Sequence, residues 1–152
     1  MCDSGRRRRA ALRSSPATTM TGHMKTHLNP AGLPANPAFS QVVVVERPDK
    51  TVYVGGQNAL SADGEIVGDS LREQTSQALR NVQTALAAAG ASMRDVVRLT
   101  INVVDGHDIR EGFAAFQELD EQPDPPPTIS VLVVSGLANP RFLIEIDAVA
   151  VI

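Results

Sequence analysis

Few side chains in this sequence could hold a metal or act as a strong nucleophile. The histidines are His23, His27 and His107, and the only cysteine is Cys2. A zinc site needs three or four ligands at short, repeated spacings, commonly with thiolates among them. These residues lack that spacing, so no metal site is expected. A single cysteine cannot form an internal disulfide, and nothing argues for an oxidising compartment, so the protein reads as cytoplasmic. Phe113 and Phe116 could offer an aromatic platform to a ligand, but their spacing also suits the buried side of a helix.

Charge narrows the choice of partner. The chain of 152 residues has 14 basic and 17 acidic side chains, and the stretch from Met1 to His23 holds five arginines against one acid, Asp3. Residues 24–152 therefore carry nine basic and 16 acidic groups. So acidic a body is poorly suited to neutralising phosphates, which argues against nucleic-acid binding by the folded part. Residues 1–23 show neither helical nor strand periodicity and read as a disordered Arg-rich tail, or as a translated leader with Met20 or Met24 as the true start. No apolar run approaches a membrane span.

The remaining residues, 24–152, read as one domain. Apolar residues are 43% of the chain and aromatics only 3%, so its core must be built from Val, Leu, Ile and Ala. Val42 to Val45 is a β-branched strand. Pro48, Asp49 and Lys50 make a turn and Thr51 to Gly55 returns, which predicts a hairpin. Ser70 and Glu73 form a capping box at the start of a helix that should stop at Gly90. Its apolar stripe is Leu71, Ala78, Leu79, Val82, Leu86 and Ala89. Val97, Leu99, Ile101 and Val103 alternate with polar residues in a strand, and a second helix is expected from Asp108 to Asp120. Pro123, Pro125, Pro126 and Pro127 force an extended approach to a strand from Thr128 to Val134. A last strand runs from Phe142 to Ile152. The order β-β-α-β-α-β-β is an α+β fold with two helices on one face of a sheet. The other face needs cover, which another subunit would supply.

From Phe39 to Ile152, about three-quarters of the chain, the sequence resembles the RidA (YjgF/UK114) family. The resemblance rests on Asn36-Pro37-Ala38-Phe39-Ser40-Gln41, on Val54-Gly55-Gly56-Gln57, and on Gln74-Thr75 with Ala78-Leu79-Arg80-Asn81-Val82. It continues through Ala87 to Ser92 and Asp95 to Thr100, and closes with Leu143-Ile144-Glu145-Ile146-Asp147-Ala148-Val149-Ala150. It implies a chorismate-mutase-like fold and a homotrimer with a ligand cleft at each subunit interface. Catalytic members hydrolyse enamine or imine acids to 2-oxo acids and ammonia without metal or cofactor.

In such members a guanidinium on the penultimate strand grips the substrate carboxylate. Matching that motif to Pro127-Thr128-Ile129-Ser130 places Ile129 there. An asparagine of the second helix falls near Phe113, and an aromatic near the first strand, commonly Tyr, is Phe39. Gly55, Gly56 and Gln57 match, and Glu145 matches the carboxylate that works on water or proton. Glu145 reads equally as a strand carboxylate in a subunit-interface salt bridge. Arg141 beside Pro140 offers a guanidinium, but at a loop position typical of a surface arginine. Two functions follow from the resemblance: a cofactor-free hydrolase or deaminase with altered substrate, or a non-catalytic trimer that senses a small ligand or binds a partner. The ribonuclease activity attributed to some relatives meets the acidic body described above.

Overall fold

A computed structural model describes residues 24–152; the expected Arg-rich tail or leader lies outside the described residues. The elements are β1 (Met24–Leu28), β2 (Val42–Glu46), β3 (Thr51–Gln57), α1 (Leu71–Ala88), β4 (Val96–Val104), α2 (Ile109–Gln117), β5 (Thr128–Val134) and β6 (Ile144–Val151), with a 3-10 turn at Met93–Asp95 before β4. Two helices and a mixed sheet make this the expected α+β architecture, with one strand more than the sequence suggested.

α1 begins and ends where local chemistry dictates. The Ser70 hydroxyl accepts from the Glu73 amide, while the Glu73 carboxylate accepts from the amides of Asp69 and Ser70 at 3.0 and 3.1 Å. These bonds, led by the one from Asp69, hold the Glu73 carboxyl below its usual range. At the other end Gly90 takes a φ of 77°, which costs glycine little, and the amide of Ala91 returns to the Leu86 carbonyl. Leu71, Ala78, Leu79, Val82 and Leu86 are buried against the sheet.

The four-stranded sheet runs β3-β6-β4-β5. β4 and β5 are parallel and joined through α2, while β6 is antiparallel to both β3 and β4. Alternation sorts the side chains. Leu99, Ile101 and Val103 of β4 and Ile144, Ile146, Ala148 and Ala150 of β6 join the hydrophobic core with α1. Arg98, Thr100, Asn102, Glu145 and Asp147 occupy the opposite face. Gln74 is a buried polar member of α1, and its amide ties loops to the helix. It donates to the carbonyls of Gly68 and Arg141 and accepts from the Leu143 amide.

The expected hairpin does not form. The chain does bend at Arg47, whose φ is 50°, but β2 pairs with β1 in a separate two-stranded ribbon. β3 pairs with β6 instead, and Lys50 exchanges two backbone hydrogen bonds with Ile152. Local residues bend the chain between β2 and β3, but which strand each arm pairs with is a long-range choice that they do not encode. The ribbon is fixed beside the start of β5: Ser40 donates its amide to the Pro127 carbonyl, and His27 Nδ1 lies 2.9 Å from Ser40 Oγ. Ser40 is buried by this docking, and Ala38 and Phe39 are carried to the mouth of the space beneath α2.

Candidate functional site

α2 packs on α1 and leaves a gap above β4 and β5. The gap is a cavity of about 320 Å³, at the small end of ligand pockets. Ile129 and Val131 of β5 form one wall, Ile101 and Val103 of β4 with Ile144 and Ile146 of β6 the floor, and Phe113 and Phe116 the roof. Phe39 closes one side. Three residues singled out from the sequence, Phe39, Phe113 and Ile129, thus share one cavity although 90 residues separate the first from the last. The spacing that made Phe113 and Phe116 ambiguous resolves by position: Phe116 packs against the core, whereas Phe113 is half exposed at the mouth.

The other candidates gather elsewhere. A register shift between Val54 and Gln57 lifts Gly55 and Gly56 out of the ladder that pairs β3 with β6. The Gln57 side chain donates to the Gly55 carbonyl at 3.0 Å. Glu145 lies over Gly56: a Cβ added there would stand 2.6 Å from Glu145 Cδ. Gly56 is therefore required by the carboxylate, since the lack of a side chain is what lets Glu145 occupy that place. Glu145 makes no ion pair among the described residues. Because Ile144 and Ile146 point into the cavity, alternation turns Glu145 to the opposite face of the sheet. Within one chain, the carboxylate and the cavity are on different sides of β6.

Two polar side chains at the cavity are not among the site residues that the sequence suggests. Thr75 of α1 is buried in its wall, and its hydroxyl donates to the Leu71 carbonyl at 2.7 Å. Arg110 of α2 stands at the rim, but its guanidinium is held by the Asp108 carboxylate through contacts of 2.7 to 3.0 Å. That pairing keeps Asp108 ionised below its usual range and raises Arg110 further. Arg141 does not line the cavity; it is exposed in the loop before β6. Thr75 falls in the apolar stripe of α1, which marks it for burial, while no local pattern marks Arg110. Among the described residues no group of His, Cys, Asp and Glu is arranged to hold a metal.

Comparison with known proteins gives this geometry a context. Residues 31–152 match the family model described as Endoribonuclease L-PSP. The chain belongs to this family, the RidA or Rid family. A RutC family protein of Pyrococcus abyssi is 31% identical over 113 residues, which are 74% of this chain and 84% of that protein. The 2-iminobutanoate/2-iminopropanoate deaminase of Rattus norvegicus is 38% identical over 72 residues, 47% of this chain and 50% of the relative. The solved structure of a Rid-family protein from Yersinia pestis superposes with a TM-score of 0.73 at 34% identity, covering 84% of this chain and 98% of that one. The Rid fold is thereby established, and no helix among the described residues is long and apolar enough to cross a membrane.

Proposed function

We propose that this Rid-family chain binds a small neutral or weakly polar metabolite in the cavity beneath α2, at the subunit interface of a cytoplasmic homotrimer. Any hydrolytic or deaminating chemistry there acts on an imine-, enamine- or amide-like substrate other than 2-iminopropanoate, and requires neither metal nor cofactor. The observation that carries the reading is the aliphatic Ile129 in the cavity wall, among Phe39, Phe113 and Val131. A charged hydrogen bond of the kind that grips a carboxylate contributes about 1.5–3 kcal/mol. An apolar wall offers none of that and adds a desolvation cost for a docked anion. Arg110 does not substitute, because Asp108 already neutralises it.

The trimer is supported by what one chain leaves uncovered. Val131, Leu132 and Val133 are exposed along the edge strand β5, and none of the helices among the described residues covers the face of the sheet away from α1 and α2. An apolar edge strand of this kind is normally covered. The alternative, a trimer without catalysis that senses a ligand or binds a partner, is favoured by the separation of Glu145 from the cavity by β6. The nuclease activity named in the family's description fits poorly with this body. Of its nine cations, Lys25, Arg72, Arg94 and Arg110 are paired with carboxylates.

The test is a deaminase assay with 2-iminopropanoate and 2-iminobutanoate generated in place by a pyridoxal-phosphate enzyme. Ammonia release should stay near the uncatalysed rate, and acceleration comparable to that given by an authentic deaminase assayed alongside overturns the reading.

A further inference from the structure

The chemistry of the cavity wall selects among neutral ligands, on the assumption that the cavity is the binding site. The lining side chains named above are hydrocarbon except for Thr75, with Arg110 at the rim already engaged by Asp108. Thr75 is 3% exposed, and its hydroxyl proton is committed to the Leu71 carbonyl. A hydroxyl that donates in this way keeps its lone pairs, so while that bond is kept it presents an acceptor to the cavity. Leu71 is already satisfied as part of the helix, since the carbonyl four residues back is bonded to the Thr75 amide in an α-helix. The acceptor therefore does not depend on the hydroxyl for the integrity of α1.

Access to that oxygen is set by a glycine. Gly112, in the second turn of α2, also lines the cavity, and a Cβ placed on it would stand 3.3 Å from Thr75 Oγ1. Glycine inside a helix costs about 1 kcal/mol relative to alanine, yet no positive φ is needed at this position. Its missing Cβ leaves the space beside Thr75 Oγ1 unfilled.

We infer that the ligand has an apolar, ring-sized body and one N–H or O–H donor, which it gives to Thr75 Oγ1 opposite Gly112. Carboxylates and acceptor-only molecules find a donor in the wall only by breaking the bond from Thr75 to the Leu71 carbonyl. An O–H or N–H left without an acceptor in such a cavity would be penalised, so the single oxygen sorts donors from non-donors as well as holding them.

Phenol, toluene and benzoate serve as probes, with dissociation constants measured by calorimetry or by amide NMR on the full chain. Phenol and toluene should bind. The ratio of their constants should move about five- to tenfold against phenol in Thr75→Val, the effect of one hydrogen bond. Gly112→Ala, which fills the same space from the other helix, should produce the same loss, so the conclusion does not rest on Thr75→Val alone. Binding of both neutral probes with a ratio unchanged in both variants overturns the donor assignment but leaves an apolar binding cavity. Benzoate binding tightest would make Arg110 an anion clamp and overturn it too. If none of the three binds, the cavity is not the ligand site and the reading beneath fails with it.

Discussion

The contact between Gly56 and Glu145 can be tested by a double-mutant cycle. In Gly56→Ala the new Cβ would lie 2.6 Å from Glu145 Cδ and 2.8 Å from both Cγ and Oε1. Carbon atoms in good contact are about 3.5–4.0 Å apart, so three atoms are roughly 1 Å too close. Rotating the tip of Glu145 does not relieve this, because Cγ is among them; the whole side chain has to change rotamer or β6 has to shift. Forced rearrangements of this size cost about 1–3 kcal/mol. Gly56 has no positive φ, so alanine also restricts the unfolded chain and returns about 0.4–1 kcal/mol. The net expectation is a loss of about 1–2 kcal/mol when Glu145 is present. In a Glu145→Ala background the γ and δ atoms are gone, and the same Gly56→Ala change should stabilise by about 0.5–1 kcal/mol. The coupling is then roughly 1.5–3 kcal/mol, as expected for residues in contact. Urea unfolding of the four proteins at one fixed concentration, with unchanged slopes, measures it. Additivity within about 0.5 kcal/mol would refute the placement of the carboxylate over Gly56. The cycle also has a functional reading: if a substrate is turned over with help from this carboxylate, Gly56→Ala should depress the rate much as Glu145→Gln does.

Two further outcomes are expected. Ile129→Arg should put a cation into the cavity wall: benzoate affinity should rise about 10- to 100-fold, the equivalent of a charged hydrogen bond, with a lower urea midpoint from burying part of the guanidinium; unchanged benzoate affinity would show that residue 129 does not face the ligand. For the capping box, Glu73 has a folded-state pKa lowered chiefly by the Asp69 amide, so its contribution is present above the usual carboxylate range and disappears as pH falls through the depressed value. The stability difference between wild type and Glu73→Ala should therefore be level near neutrality and shrink on acidification; a gap that widens towards acid would contradict the bonding described.

Local chemistry in the sequence defines elements well and pairings poorly. The capping box and Gly90 locate α1 because each acts within a few residues, and β5 runs from Thr128 to Val134 as its composition predicts. β1 has no such signal: in Met-Lys-Thr-His-Leu only Thr is β-branched, and its strand character comes from pairing with β2. The mistaken hairpin has the same origin, since the partners of β2 and β3 are decided by β1 and β6, far away in sequence. At the candidate site, Phe39, Phe113 and Ile129 could be found by matching a family motif, but the place of Thr75 in the cavity wall could not be read from Gln74-Thr75. Thr75 looks like one more member of a buried stripe until α2 is laid across it with Gly112 at the crossing. Gly56 and Glu145 meet only because a bulge in β3 changes the register against β6.

In the proposed reading, the apolar residues at positions 39, 113 and 129, where the family resemblance implies other side chains, act as one change. Had only the residue at 129 become aliphatic in an otherwise polar cleft, the groups that accompany a bound carboxylate would remain as buried donors or acceptors with nothing to meet, each costing about 1–3 kcal/mol. The opposite is found. No buried side-chain nitrogen or oxygen among the described residues lacks a hydrogen-bond partner. The one hydroxyl in the wall is satisfied as a donor, and the one cation at the rim is held by its own carboxylate. A cavity without unmet polar groups can stand empty of anion at little cost, while a carboxylate entering it would have to shed water with no cation to compensate. The same framework of capping box and Gln74 ties can therefore carry either kind of cavity, because neither of those supports reaches into it. In the proposed reading, ligand choice is set by a handful of side chains around α2 and β5, apart from the capping box and the Gln74 ties that hold the fold.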